Sequence, residues 1–583
     1  MSEAVRLTAL SFRYADGERW ALHDVNLTVH PGETLLVLGP SGSGKSTLAL
    51  CLNGLIPHMI DGEMQGEVHI DGQSTLTLHH AQLCQKVGMV FQDPEAQMVM
   101  PRVDEEIAFG LENLAIAPSE MPERITAALS AVGLLEQRQA WVSTLSGGQK
   151  QRLALAAILA LHPSLFVFDE PTANLDPAAT QAFFETVQRL RAGLNVTTIL
   201  IEHDLDAALP LVDRVAALNE TGTVIAEGTP QQVFANQRDE LTRQGIWLPA
   251  VCRLAQALND AGQPLAAFPL SVPEAETALR PLVTTVLDQE LPPLPAPPIS
   301  HGETAIDLDE VDFAYPGGLS ILQRVDFHVR RGSFCALAGA NGSGKTTLAR
   351  HMVGLLRPRR GRVRILGRDV RHLNAQELAR QVGYVFQNPE HQFVSERVAD
   401  ELAYSLRKRW GEAEARRRVE WLLHTFDLER YANANPFALS QGQKRRLSVA
   451  TMVALEQPIL VLDEPTFGQD QRNLSSLMTL LKALHATGVT ILLITHNMEL
   501  IAEYAEEVAV MHEGQIIYHG PTRALFNRPA LLQQANLNLP PLAELGQRLG
   551  LPTLITVTDW VKWLTDSRKS ERPSYASQPR APA

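Results

Sequence analysis

Five landmarks occur twice along this chain in the same order: Lys45 and Lys345, Gln92 and Gln387, Ser146 and Ser440, Glu170 and Glu464, His203 and His496. Their offsets of 300, 295, 294, 294 and 293 residues drift slowly, as expected of one unit duplicated in tandem with small losses. The 583 residues are in any case too many for a single hydrophobic core. Within each copy, apolar β-rich runs such as TLLVLG (34–39) and LFVFDE (165–170) alternate with helical stretches. That alternation predicts two α/β domains, each with a largely parallel central sheet.

The proline-rich joint LPPLPAPPIS (291–300) reads as an extended, semi-rigid spacer. The tail from Ser567 lacks apolar periodicity and is expected to be disordered. The chain thus divides into repeats over 1–240 and 304–527, extensions over 241–290 and 528–566, a linker over 291–303 and a tail over 567–583. The most hydrophobic run, LALAAILALHPSLFVF, is cut by His162-Pro163 into pieces far shorter than the roughly 20 residues a bilayer requires. The N-terminal residues lack the apolar core of a signal peptide. A net charge of -14 argues against a nucleic-acid partner. Cys51, Cys84, Cys252 and Cys335 form no CxxC pair and are expected to be reduced thiols.

GPSGSGKST (39–47) and GANGSGKTT (339–347) each follow an apolar strand and open a helix. The glycines Gly39, Gly42, Gly44, Gly339, Gly342 and Gly344 let the backbone curl until its N–H groups face phosphate oxygens. Ser41, Ser43, Thr47, Asn341, Ser343 and Thr347 complete these loops. Lys45 and Lys345 are placed to reach the β- and γ-phosphates of ATP, and Ser46 and Thr346 to offer a hydroxyl to Mg²⁺. Two further strands end in acid pairs. Asp169 and Asp463 are candidates to hold Mg²⁺ through water, while Glu170 and Glu464 are placed to deprotonate the attacking water. Gln92 and Gln387 offer a neutral amide to the metal ion or its water. His203 and His496 can hydrogen-bond the γ-phosphate and the catalytic water.

Together these residues resemble the ATP-binding-cassette (ABC) ATPases over nearly the whole chain. The resemblance implies tandem P-loop domains, each adding an antiparallel β subdomain, a helical subdomain and a small C-terminal extension to the parallel core. It also implies two ATP molecules sandwiched head to tail between the halves. Ser146, Gly147, Gly148 and Gln149 of LSGGQ would then close the site on Lys345. Ser440, Gln441, Gly442 and Gln443 of LSQGQ would close the site on Lys45. Tyr14 and Tyr315 match the family's adenine-stacking aromatic, though either could simply pack on its adjacent strand.

The copies disagree at Gln441, which stands where the first copy has Gly147, and in the loop TFGQD (466–470), where the first copy reads TANLD ending in Asp176. Phe467 and Gln469 depart from the family's usual loop, and both oddities fall in the Lys45 site. One expectation is that this site is slower or more nucleotide-retentive; the other is that glutamine is tolerated there.

The acidic helix starts VDEEIAFGL (103–111) and VADELAYSL (398–406), with the related extensions GIWLPAVCRLAQALNDAG and ANLNLPPLAELGQRLG, resemble energy-coupling-factor (ECF) importer ATPases. Those take up vitamins, vitamin precursors or transition-metal ions. That resemblance implies a transmembrane coupling protein, a substrate-binding membrane subunit and a peripheral position on the cytoplasmic face of the membrane. Asp104, Glu105, Glu106, Asp400 and Glu401 are candidates to meet basic side chains of the coupling protein. Acids in a first helical turn also stabilise it by about 0.3–1 kcal/mol with no partner. The extensions are expected to pack the two halves together. The alternative is a soluble tandem cassette protein acting on ribosomes or nucleic acid, against which the short joint and acidic balance weigh.

Overall fold

The computed structural model describes residues 3–194, 196–286, 302–466 and 470–569. In the first half the strand Thr34–Leu38 lies at the centre of a six-stranded sheet. It pairs in parallel with Thr197–Ile201 and Arg214–Leu218, and Leu165–Asp169 and Val87–Val90 extend the parallel part outward. Only the edge strand Val224–Gly228 is antiparallel. The second half repeats this order around Phe334–Ala338.

Strand residues point alternately to opposite faces. Leu36 and Leu38 join a core built with the helices, while Leu35 and Val37 join one built with the antiparallel sheet of Val5–Tyr14, Leu22–Val29 and Gly62–Ile70. A sheet covered on both sides reads as an unbroken apolar run, which is why TLLVL is apolar at almost every position. The second half buries Ala336 and Leu337 in the same two-sided way.

A helical layer stands beside each core, formed by Val103–Asn113, Met121–Ala131 and Gly147–Leu159, and by Val398–Trp410, Glu412–Thr425 and Gln441–Val453. His162, at φ 57°, makes the break between the helix ending at Leu159 and the strand beginning at Leu165. Among the described residues no helix is long and apolar enough to cross a membrane. All four cysteines are free thiols.

The extensions meet in one apolar cluster. Val251, Leu254, Leu258 and Leu279 from the first half pack with Leu542, Leu545, Trp560 and Leu564 from the second. Each fully buried leucine there is worth about 1.5–3 kcal/mol relative to exposure. The Trp560 indole N–H donates to the Leu542 carbonyl at 3.3 Å, so the ring's polar edge is also satisfied. Beside this cluster, Arg253 of the first half pairs with Glu499 of the second. The last helix runs from Val557 to Lys569, and residues 570–583 lie outside the described residues, as does the proline-rich joint over 291–300.

Candidate active sites

Each central strand ends in a glycine-rich loop and the N-terminus of a helix starting at Lys45 or Lys345. Gly44 (φ 90°) and Gly344 (φ 107°) precede these lysines in left-handed backbone, and a Cβ on Gly44 would strike the Ala21 carbonyl. The Lys45 ammonium donates to Gly39 O at 2.8 Å and Pro40 O at 3.0 Å; Lys345 does the same to Gly339 O and Ala340 O at 2.8 and 2.9 Å. Burial lowers the pKa of both lysines, while nearby carboxylates pull the other way. Among these are Asp470 acting on Lys45 and Asp176 acting on Lys345, each from the opposite half. The buried Ser43 and Ser343 hydroxyls have no hydrogen-bond partner among the described residues.

At the neighbouring strand tip, Ser46 Oγ donates to Asp169 Oδ1 at 3.1 Å, and Thr346 Oγ1 to Asp463 Oδ1 at 3.2 Å. Burial pushes the Asp169 carboxyl up to about 6 and Asp463 upward as well, so each would gain from a cation. A hydroxyl beside a carboxylate is a hard oxygen pair suited to Mg²⁺. Among the described residues no cluster of three His, Cys, Asp or Glu could hold a metal ion by itself.

The next residue turns sharply. Glu170 (φ 47°) and Glu464 (φ 44°) sit in left-handed backbone, a strained state for a non-glycine costing about 1–3 kcal/mol. Their N–H groups donate to Ile201 O and Ile494 O, both at 2.9 Å, which fixes the turn. It aims each carboxylate at a histidine: Glu170 Oε1 lies 2.8 Å from His203 Nε2, and Glu464 Oε1 lies 2.9 Å from His496 Nδ1. Burial pushes both carboxyls up, but the histidine contacts and the nearby lysine charge outweigh it and leave them below the ordinary glutamate value. Burial opposes a charged His496, yet the Glu464 charge and hydrogen bond raise its pKa above the ordinary histidine value. Gln92 Nε2 donates to Glu170 Oε2 at 2.9 Å, whereas Gln387 is gripped through its main-chain carbonyl.

Tyr14 and Tyr315 stand edge-on to Phe12 and Phe313, each at 5.0 Å, and are 38% and 37% exposed. Tyr14 also hydrogen-bonds Thr47 Oγ1 at 3.0 Å. Ser146 and Ser440 cap the signature helices: Gln149 N reaches Ser146 Oγ at 3.3 Å and Gln443 N reaches Ser440 Oγ at 3.4 Å. The Gln149 and Gln443 side chains accept the serine N–H groups in return, a reciprocal capping box. A Cβ added at Gly147 would meet nothing within 4 Å, and Gln441 at the equivalent place of the second half is exposed. The two halves touch at their phosphate loops. Ser41 N donates to Asp470 Oδ2 at 3.1 Å, and Asn341 N donates to Asp176 Oδ2 at 3.3 Å, with Asn341 Nδ2 on Asn174 O at 2.9 Å.

The family model described as ABC transporter matches this chain twice, over residues 22–173 and 322–467. The chain belongs to the ABC transporter ATP-binding family. The Bacillus subtilis (strain 168) protein named "Putative HMP/thiamine import ATP-binding protein YkoD" is 38% identical over 93% of this chain and 96% of its own length. A Methanosarcina acetivorans protein named as an ABC transporter ATP-binding protein is also 38% identical, over 97% of this chain and 94% of its own. Among solved structures, cbiO1 of Clostridium perfringens, titled as part of the ABC transporter complex cbiONQ, is 30% identical over 42% of this chain and 99% of its own, with a TM-score of 0.37. The chain is an ABC-family ATPase.

Against that family background, the buried acids of the two helix starts need correcting. Glu106 and Glu401 do not face outward. The Glu106 carboxylate accepts Val99 N (2.9 Å) and Met100 N (2.6 Å), and Glu401 accepts Val394 N (2.9 Å) and Ser395 N (2.8 Å). Both fold the segment after the glutamine loop, because a buried carboxylate is stable only with donors on it. Asp104 and Glu105 lie within salt-bridge distance of Arg102, and Asp400 of Arg407. Phe467 and Gln469 lie outside the described residues.

Sequence reasoning also missed three residues of the cassette sites. Tyr384 Oη donates to Asp463 Oδ2 at 2.8 Å, where the first half has Met89. Arg445, where the first half has Gln151, is buried and donates to the carbonyls of Phe386 (2.6 Å), Gln387 (2.5 Å) and Glu464 (3.4 Å). Glu202, where the second half has Thr495, is buried behind His203 and accepts Thr172 Oγ1 and His203 N, each at 2.7 Å. Aligning VGMVFQ with VGYVFQ, and LSGGQKQR with LSQGQKRR, at the repeat offset exposes the first two differences.

Proposed function

We propose that this chain is the energy-coupling ATPase subunit of an ECF-type importer, with two ATP sites formed head to tail between its fused halves. The observation that carries the pairing is the reciprocal contact of Ser41 with Asp470 and of Asn341 with Asp176, by which each phosphate loop is met from the opposite half. Ser440 and its neighbours close the site on Lys45; Ser146 and its neighbours close the site on Lys345. The residue roles and the division into two repeats with extensions, linker and tail belong to this same proposal. The importer assignment is supported by the printed name of the Bacillus relative, an HMP/thiamine import protein, at 38% identity over 93% of this chain. The cargo class is a vitamin, a vitamin precursor or a transition-metal ion, recognised by a separate membrane subunit.

In each site the loop amides and the lysine bind the phosphates, and the tyrosine stacks on adenine. Mg²⁺ arriving with ATP would be held by Ser46, Asp169 and Gln92, or by Thr346, Asp463 and Gln387, and supplies charge neutralisation on the phosphates. Glu170 and Glu464, kept ionised by their histidine partners, accept the proton of the attacking water. His203 and His496 fix the carboxylate that does so and face the γ-phosphate. The signature serines, hydroxyl donors at helix N-termini, complete the phosphate cage only when the halves close. Closure then moves a transmembrane coupling protein docked beside the glutamine loops.

The pairing is tested with Ser146→Cys and Asn341→Cys in a chain lacking its four native cysteines and carrying Glu170→Gln and Glu464→Gln. With ATP trapped, a short thiol cross-linker is expected to give a fast-migrating intramolecular product. Failure to cross-link under those conditions defeats the pairing. The importer reading is tested by purification from native membranes: a membrane protein should accompany the chain, and ribosomes in its place would defeat the assignment.

A further inference from the structure

We propose that Arg445 is a positioning residue that couples the two ATP sites, by tying the catalytic segments of the Lys345 site to the signature helix that closes the Lys45 site. The inference rests on the head-to-tail pairing above. Arg445 lies on the helix Gln441–Val453, whose N-cap is Ser440. It is fully buried, and its guanidinium donates to Phe386 O, Gln387 O and Glu464 O. One rigid fork therefore holds the glutamine loop, the general-base segment and the signature helix in a fixed relation.

A second contact repeats the link. Gln392 Nε2 donates to Ser448 O (2.9 Å) and Thr451 Oγ1 (2.7 Å), and Ser448 Oγ donates to Gln392 Oε1 (2.7 Å), so the end of the glutamine loop is stitched to the same helix. Among the described residues the first half shows neither the fork nor this stitch, and keeps only the Lys150–Glu95 pair between its signature helix and the segment after its glutamine loop. Gln97, at the place of Gln392, turns back to Met89 O (3.1 Å) and Phe91 N (3.3 Å) on its own strand and loop. Gln151, at the place of Arg445, is buried with its amide nitrogen unpartnered among the described residues. Arg445 Nε is likewise unpartnered among the described residues, so the buried charge is offset by the three carbonyls on its two terminal nitrogens alone, and a guanidinium in this position is informative. Nucleotide at Lys345 that draws Gln387 and Glu464 inward pulls Ser440 with them, toward the phosphate held by Lys45. By thermodynamic reciprocity, closure of Ser440 favours the same arrangement at Lys345. Both halves pair a signature-helix lysine with the glutamate after the glutamine loop, Lys150 with Glu95 and Lys444 with Glu390, but among the described residues the guanidinium fork is built into one of them, the second.

The test is Arg445→Gln, which installs the side chain that the same helix position tolerates in the first half, together with Arg445→Lys. In a Glu170→Gln background, where turnover belongs to the Lys345 site, Arg445→Gln is expected to lower kcat about 10–100-fold with KM for ATP changed less than about threefold. Amide exchange should rise selectively in 386–392 and 440–446, and Arg445→Lys should restore only part of both, because a point charge cannot bridge three carbonyls. An unchanged exchange pattern overturns the proposal. So does a loss of rate accompanied by uniformly faster exchange across the chain, which would make Arg445 an ordinary stabilising residue. Should the Glu170→Gln chain with Arg445 intact hydrolyse no ATP, the assignment of turnover to the Lys345 site fails, while the exchange measurement still decides the role of Arg445.

Discussion

Where the first half sets Met89 beside the strand carrying Asp169, with Asn53 Nδ2 on its sulfur at 2.7 Å, the second sets Tyr384, whose hydroxyl reaches Asp463 at 2.8 Å. Where the first buries Gln151, the second buries Arg445 across three carbonyls. Where the second has Thr495 Oγ1 on Glu464 at 3.1 Å, the first has the carboxylate of Glu202 turned away onto Thr172. The two sites share a backbone down to the left-handed glutamate and differ in what steadies it. Duplication preserves the geometry that chemistry needs, and divergence then acts on the side chains behind it. Glu170 has its own second donor in Gln92 at 2.9 Å, so the asymmetry lies in Tyr384 and Arg445, and from these we expect the Lys345 site to carry most of the hydrolysis.

The sharpest way to break that comparison is to remove each general base in turn. Glu464→Gln should abolish most steady-state ATP hydrolysis, about 10²-fold or more at its own site. Glu170→Gln should leave more than half of the wild-type rate; equal losses would erase the asymmetry. A smaller effect is expected from Tyr384→Met, which copies the first half. Measured by Mg²⁺ titration in the Glu170→Gln background, it should raise the metal concentration for half-maximal rate about tenfold, and Tyr384→Phe should match it because the hydroxyl is the donor. No shift would detach Tyr384 from the metal site.

Gln441→Gly should matter less still. The Gln441 side chain is exposed on the helix that closes the Lys45 site, so turnover of that site, read in a Glu464→Gln background, should change by less than about twofold. A large gain would return the asymmetry to the signature motif.

The last difference is in pH response. Burial, reinforced by the charge of Asp204, pushes Glu202 up to about 7 despite its hydrogen bonds. The folded chain therefore retains a proton that the unfolded chain releases near the ordinary value of about 4.3. Its contribution favours folding at low pH and is lost as pH rises from there through about 7. Glu202→Thr, the residue of the second half, should shrink the difference in thermal midpoint between pH 5 and pH 8 by about 2–4 °C. An unaltered difference would contradict a protonated Glu202.

The repeat, the α/β class and the phosphate loops were legible because each depends on local pattern: apolar runs, glycines at fixed spacing and acids at strand ends. Glu106 and Glu401 were misread because acids in a first helical turn look alike whether they face solvent or fold back onto backbone N–H groups. Tyr384 and Arg445 escaped notice because aligning the repeats shows that they differ from Met89 and Gln151 but not what they touch; only the fold brings them to Asp463 and Gln387. Gln149 and Gln443 read as nucleotide contacts, yet their side chains already complete capping boxes that set the angle of the signature helices.

The extension helices, finally, make the molecule resemble tongs joined at the handle. Val251 and Leu254 of one arm and Leu545 and Trp560 of the other pack in one apolar cluster that holds the arms together. On the proposed pairing, opening after hydrolysis would be a rotation about that joint, and re-closure a unimolecular event whose rate does not depend on dilution. Loosening the joint, in the way a large-to-alanine change at Trp560 would, should therefore make closure sluggish in both jaws at once, however different their grips.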